Sequence, residues 1–208
     1  MSISLVPRPS IAGSDKAPGV LFVCTGNICR SAMAEVVMVD YCQIQDIQVR
    51  VDSAGVSYEE SGNPMDRRAA RELSGRGYEL RPHQARQIHT QDFHDYDLIL
   101  AMTAGHFVAI QAFGNRKGIE FGQPGQPRLE MFKVFDPANF SRLTEALNLG
   151  QDGSNMPSSL TLAGVEAGLW TLEADELMVA DPWYGGPKDF EITANEVETV
   201  IPVLAASL

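Results

Sequence analysis

Residues 20–35 read VLFVCTGNICRSAMAE, which sets a thiol, a glycine, a guanidinium and a hydroxyl (Cys24, Gly26, Arg30 and Ser31) between an apolar run and a helical pattern. The chemistry open to this set is specific. An ionised thiol is a nucleophile. An arginine presents a planar fork that matches two oxygens of a phosphate. A short glycine-containing loop can turn successive backbone N–H groups inward as a nest for an anion, and Gly26 is expected to supply its left-handed backbone. An anion held over Cys24 in this way describes covalent phosphoryl transfer. Taken singly, a cysteine after a buried strand reads as a small core residue and an arginine at a helix start as a solvated charge. What carries the reading is Cys24 and Arg30 with five residues between them, inside one strand–loop–helix unit. Neither a G-x-x-x-x-G-K-[ST] loop nor a G-x-G-x-x-G turn occurs anywhere in the chain.

Such a loop needs a scaffold. Val20–Val23 has the continuous apolar character of a buried parallel strand, and Ser31–Tyr41 has helical spacing. Ile47–Val51 alternates as a second strand. Asp66–Gly77 reads as a helix that stops at glycine, and Thr90 as the cap of a short helix through Tyr96. Asp97–Ala101 is a third buried strand, followed by a helix to about Phe113. A fourth strand lies near Leu129–Phe132, and Asp189–Leu208 forms a last amphipathic helix containing Pro202. Strands alternating with helices predict an α/β single domain, a four-stranded parallel sheet flanked by helices on both faces. In such sheets ligands bind at the carboxyl ends of the strands, where the loop after Val23 lies. The helix that starts near Ser31 directs its free N–H groups to the same place.

Bulk composition narrows the partners. The chain has 208 residues, 44% of them hydrophobic, and a formal charge of −11 from 16 Lys and Arg against 27 Asp and Glu. That balance disfavours nucleic acid and anionic membrane surfaces, so an anion site has to be built locally. Three cysteines, Cys24, Cys29 and Cys42, are too few and too clustered for a disulfide framework, and no matching Cys or His pair indicates a metal site. No cofactor is expected. Residues 1–18, rich in Pro, Ser and Gly, read as a mobile tail without a signal-peptide core, and no apolar run reaches transmembrane length. A cytoplasmic protein with reduced thiols is expected, with a monomer favoured.

The stretch VCTGNICRSAMAE resembles the signature of the low-molecular-weight protein tyrosine phosphatases. DSAG (52–55), GNPMD (62–66), HQARQI (83–88), FHDYDLILAM (93–102) and DPWYGGPKDFE (181–191) follow in that family's order. Together these matches cover about 19–135 and 176–206. The resemblance implies Cys24 as nucleophile, Arg30 as phosphate clamp and Asp181 as general acid. It implies a phosphate-binding loop made of Thr25, Gly26, Asn27, Ile28, Cys29 and Ser31, with Asn27, Ser31, Ser53 and His83 carrying the polar network that holds it. Ser31 would also hydrogen-bond the Cys24 sulfur, and Trp183 and Tyr184 would wall the substrate ring. The acid makes chemical sense, because a phenolate leaving group, with a conjugate pKa of about 10, needs a proton as it departs.

The chain departs from the family pattern in places. Ala32 stands where a proline is usual, Thr103 where many relatives have Asp, and Tyr58 precedes Gly62 by four residues where three are usual. An inserted segment of about 138–175 precedes the acid loop, and within it Phe140–Leu149 reads as a helix capped by Asn139 and ended by Gly150. The expected activity is hydrolysis of phosphotyrosine in protein substrates through a phospho-cysteine. The alternatives are arsenate reduction on the same fold, and phosphoarginine hydrolysis, for which the apolar Ile28 is less suited than the threonine of such relatives. A second thiol on the loop also points to reversible oxidation to a Cys24–Cys29 disulfide.

Overall fold

The computed structural model describes residues 17–146 and 174–208 of the chain. Four strands form one sheet, β1 (Gly19–Cys24), β2 (Arg50–Gly55), β3 (Leu98–Ala101) and β4 (Arg128–Met131), in the order β2-β1-β3-β4 and parallel throughout. The helices are α1 (Arg30–Ile44), α2 (Arg67–Gly75), α3 (Asp92–Asp95), α4 (Ala104–Arg116), α5 (Pro137–Ala146) and α6 (Pro187–Ala206). The domain is therefore the α/β architecture expected, with all its described strands in the one parallel sheet.

Every residue of β1 is buried, because the strand is central and both its faces are covered. Alternate side chains then feed two cores. Val20 and Phe22 pack with α1, α2 and α6 through Val37, Met38, Leu73, Val197 and Ile201, and Phe22 meets Phe132 edge-on with ring centroids 5.8 Å apart. Leu21 and Val23 point the other way, into a cluster with Ile99, Phe93 of α3 and Ile110 of α4. The chain leaves β1 for β2 on one side and has β3 on the other. The end of β1 is thus the point where neighbouring connections diverge, and the loop 25–29 occupies that crevice.

Several boundaries differ from the sequence reading for local reasons. β2 runs over 50–55, not 47–51, because Ile47 closes the end of α1 instead, its N–H donating to the Cys42 carbonyl at 2.9 Å. α1 reaches Ile44 and α2 starts after Asp66, whose side chain accepts from Arg68 N–H at 2.7 Å. α3 has Gln91 at its N-cap and no side-chain cap, from Thr90 or any other residue, and Asp92, its first residue, accepts from His89 N–H at 2.7 Å. β4 stops at Met131, and Phe132–Phe135 is a 3-10 turn.

α5 begins at Pro137, not Phe140, with Asp136 accepting from Ala138 N–H at 3.0 Å. Asn139 is consequently inside the helix, where its amide donates to the Lys133 and Glu176 carbonyls. The expected end of that helix, 147–150, lies outside the described residues, as do the rest of the insertion up to 173 and residues 1–16 of the expected tail. Ala17 and Pro18 accept hydrogen bonds from the side chain and backbone of Arg50. α6 starts two residues earlier than expected, with Pro187 in its first turn and Asp189 accepting from Gly186 N–H at 2.7 Å.

Candidate active site

The loop from Cys24 to Arg30 is held from below by Asn27. That residue, not Gly26, takes the left-handed conformation, with φ of 60°. Asparagine tolerates this region better than other side chains, and here both polar atoms of its amide are used. Asn27 Nδ2 donates to Ser31 Oγ (3.1 Å) and Ser53 Oγ (2.7 Å), and Asn27 Oδ1 accepts from Arg86 N–H (3.0 Å). The Asn27 carbonyl accepts from His83 Nε2 at 2.6 Å, which leaves Nδ1 of that ring facing Glu35 at 3.9 Å. Ser53 in turn donates to Glu35 at 2.5 Å. Burial pushes the Glu35 carboxyl above the usual carboxylate range, and the Ser53 hydroxyl pulls it back. Gly55, at the end of β2, passes so close to the loop backbone at Thr25 that a Cβ there would collide with the Thr25 carbonyl oxygen.

Cys24 and Ser31 are both buried, with Sγ and Oγ 3.0 Å apart. Asn27 donates to Ser31 Oγ, and the single hydroxyl proton of Ser31 has two acceptors within reach, the Ala54 carbonyl at 3.3 Å and the Cys24 sulfur. Among the described residues, the N–H groups of Gly26, Asn27 and Ile28 meet no protein acceptor. Arg30, 5% exposed, opens α1 one residue further on, after Cys29. Its Nη2 donates to Asp181 Oδ2 at 2.7 Å, while its buried Nε has no partner. Free donors gathered around a buried guanidinium are the features that an anion site requires.

Asp181 arrives from far along the chain, on a segment fastened to the sheet by Val179 N–H, which donates to the Met102 carbonyl at 2.9 Å. The other Asp181 oxygen accepts from Trp183 N–H at 3.1 Å, and Gly185 N–H closes a turn onto the Pro182 carbonyl. Pro182 is buried, whereas Trp183 is 39% and Tyr184 93% exposed beside the acid. Cys29 sits in the loop with a buried thiol, held well above the usual range by that burial and by the Asp66 carboxylate. Ile28 is also buried, and its carbonyl accepts from Asp66 N–H at 2.9 Å.

The structure thus brings together Cys24, Thr25, Asn27, Arg30, Ser31, Ser53, His83 and Asp181. It also adds His106, Glu35 and Arg86, which the sequence does not single out, and gives the departure at Thr103 a partner. Thr103, in place of the usual Asp, caps α4 and hydrogen-bonds Nδ1 of the buried His106 at 3.0 Å. His106 Nε2 then lies 2.8 Å from Thr25 Oγ1. So the support missing at Thr103 reaches the loop through an imidazole. The available signal is position: Thr103 follows β3, the neighbour of β1, at the carboxyl edge where the site has to be. Glu35 and Arg86 carry no such signal, since nothing local in the sequence connects them to residue 27.

Comparison with known proteins follows the same outline. The sequence pattern described as low molecular weight phosphotyrosine protein phosphatase matches residues 19–142. A low molecular weight protein-tyrosine-phosphatase of Streptomyces coelicolor is 30% identical over 193 residues, 91% of this chain and 92% of its own. The human low molecular weight phosphotyrosine protein phosphatase is 31% identical over 174 residues, 83% of this chain and 84% of its own. A solved Drosophila arginine phosphatase shares the fold with a TM-score of 0.63 at 21% identity, over 89% of this chain and 94% of its own.

Burial, with Arg30 nearby, lowers the His106 pKa from 6.5 to about 4. Below pH 6.5 the unfolded chain takes up a proton there that the folded chain refuses. The stability that neutral His106 contributes is therefore complete above pH 6.5 and is lost as the pH falls toward 4. At roughly 1.4 kcal/mol for each tenfold loss of proton affinity, this is on the order of 3 kcal/mol at most. In thermal unfolding, His106→Gln should lose less stability than the wild type between pH 7 and pH 5. Equal losses would show that His106 protonates freely in the fold.

Proposed function

Because the chain belongs to the low molecular weight phosphotyrosine protein phosphatase family, we propose that it hydrolyses phosphotyrosine in protein substrates through a phospho-cysteine on Cys24. One observation carries the assignment. The buried guanidinium of Arg30 bonds Asp181 at 2.7 Å, on a loop whose Cys24 sulfur faces the Ser31 hydroxyl at 3.0 Å. Nucleophile, anion clamp and acid are thereby grouped around one set of free N–H donors.

The steps follow from these atoms. An incoming phosphate monoester places its oxygens on the N–H groups of residues 25–30 and on the Arg30 fork, which releases Asp181 from Arg30. The Cys24 thiolate attacks phosphorus in line. The S–P bond forms as the bond to the phenolic oxygen breaks, and the carboxyl of Asp181 gives that oxygen its proton. Water then attacks phosphorus, Asp181 takes a proton from it, the S–P bond breaks, and phosphate leaves the regenerated thiolate. Charge on the phosphoryl oxygens is met throughout by Arg30 and by fixed backbone donors. The exposed rings of Trp183 and Tyr184 offer apolar surface to a phenyl group, and both sit beside the acid that serves its oxygen. That pairing favours phosphotyrosine over phosphoarginine and over arsenate. No metal is invoked, and chelators are expected to leave turnover unchanged.

Assays of phosphotyrosine peptide, nitrophenyl phosphate, phosphoarginine and arsenate, run side by side, test this reading. Phosphotyrosine should be turned over best. Cys24→Ser should bind inorganic phosphate without turnover, and Arg30→Lys should be severely impaired because a point charge cannot replace the fork. Asp181→Ala should lose about 10²–10⁴-fold on phosphotyrosine and clearly less on nitrophenyl phosphate, whose phenolate leaves unprotonated. Near-normal activity of Cys24→Ser, or equal losses of Asp181→Ala on both substrates, would refute the roles assigned.

We also propose that peroxide inactivates the enzyme reversibly. Peroxide oxidises the Cys24 thiolate to the sulfenic acid, and the Cys29 thiol then displaces water from it to close a disulfide. Since Cys29 is buried and held protonated, closure should be slower than the first oxidation. Mass mapping after peroxide should find a Cys24–Cys29 disulfide that reductant reverses. Sulfinic acid on Cys24 with Cys29 untouched would exclude it.

A further inference from the structure

The first turn of α2 touches both halves of the site. From Asp66, the backbone N–H reaches the Ile28 carbonyl in the phosphate-binding loop at 2.9 Å. From Arg68, two residues on, Nη1 donates to the Trp183 and Gly185 carbonyls of the acid loop, each at 3.1 Å. The two contacts are locked to each other. Arg68 Nε and Nη2 grip the two oxygens of Asp66 at 3.1 and 3.0 Å, so the guanidinium is oriented from one side by a bidentate carboxylate and uses its remaining edge on the loop. The guanidinium also lies over two rings, with Cζ 5.5 Å from the centroid of Trp183 and 4.7 Å from that of Phe190 in α6. Burial pushes the Asp66 carboxyl up, but its hydrogen bonds to Arg68 outweigh this and leave it below the usual carboxylate range.

We propose that Arg68 is the positioning residue of the acid loop: through Asp66 it ties the Trp183–Gly185 turn to the phosphate-binding loop and so sets where Asp181 stands over Cys24. This rests on Asp181 being the general acid. Its carboxylate is held by Arg30, the group that the phosphate takes over when substrate binds, so a second tether is required once Arg30 is occupied. Arg68 supplies it without touching the substrate phosphate. A lysine in its place would keep the charge but could not hold Asp66 with two parallel bonds while serving two carbonyls.

The test uses the full chain and compares Arg68→Met, Arg68→Lys, Asp181→Ala and the Arg68→Met/Asp181→Ala double variant on phosphotyrosine peptide and nitrophenyl phosphate. Arg68→Met should lower kcat on phosphotyrosine by roughly 10- to 100-fold, part of the general-acid contribution, with a much smaller loss on nitrophenyl phosphate and little change in KM. Arg68→Lys should fall between it and the wild type. The double variant should be no slower than Asp181→Ala alone, because a misplaced acid and an absent acid are the same defect. A second readout does not depend on catalysis. The chain has only two tryptophans, Trp170 and Trp183, so in a Trp170→Phe background fluorescence reports the acid loop alone. Arg68→Met should make Trp183 more accessible to acrylamide. Equal losses on both substrates, additive losses in the double variant, or unchanged quenching would each overturn the proposal. If Asp181→Ala proves silent, it is the acid assignment that fails, and quenching by itself then decides whether Arg68 anchors the loop.

Discussion

A guanidinium buried at the carboxyl end of a parallel sheet needs negative charge beside it, and much of this structure follows from that need. Arg30 is inside the protein because it opens α1, and α1 starts there because β1 ends at the centre of the sheet. With water largely excluded, an unpaired charge at that depth would be costly. Asp181 meets the charge, although it lies 151 positions further along the chain. The ion pair therefore draws the acid loop over the mouth of the phosphate-binding loop and leaves it at a place that a substrate phosphate would contest. In the proposed mechanism the substrate phosphate takes over Arg30 and so frees the acid.

The second constraint is the shape of the loop. A nest of N–H donors is strained and polar, and it persists only if its surroundings over-determine it. Asn27 provides this by accepting a left-handed backbone and committing its side chain to Ser31, Ser53 and the backbone of Arg86. Behind it, His83 and Glu35 form one brace, while Thr103 and His106 form another on the opposite flank. The first brace, from α1 and the segment between α2 and α3, meets β2 through Ser53, and the second follows directly on β3 at the start of α4. A parallel sheet with its central strand first in sequence places both neighbours' ends at the same crevice.

Much of this is legible in the sequence, and the parts that are not have physical reasons. The continuous apolar runs at 20–23 and 97–101 give β1 and β3 directly, since strands buried on both faces leave little ambiguity. The sequence misplaces β2 because the alternation at 47–51 is real but serves the end of α1, while the strand itself carries polar Asp52 and Ser53. Cys24 and Arg30 announce themselves through reactive side chains at characteristic spacing, whereas the expected roles of Ser31 and Asp181 come from the family resemblance. His106, Glu35 and Arg68 carry no such signal, because each acts through a partner 18 to 115 residues away, and a single sequence does not display such distances. The left-handed residue is expected at Gly26 on general grounds. It falls on Asn27, whose side chain has partners waiting.

The central claim is that phosphate passes covalently through the Cys24 sulfur, held by Arg30 and released with help from Asp181. The most direct measurement is acid-quenched mass spectrometry of the wild-type enzyme during turnover of a phosphotyrosine peptide, with the modified residue mapped by fragmentation. A single phosphoryl group on Cys24, appearing within the first turnover and disappearing as substrate is exhausted, is the predicted result. Steady turnover with no phosphoryl group on Cys24, or with phosphate on another side chain, would contradict it.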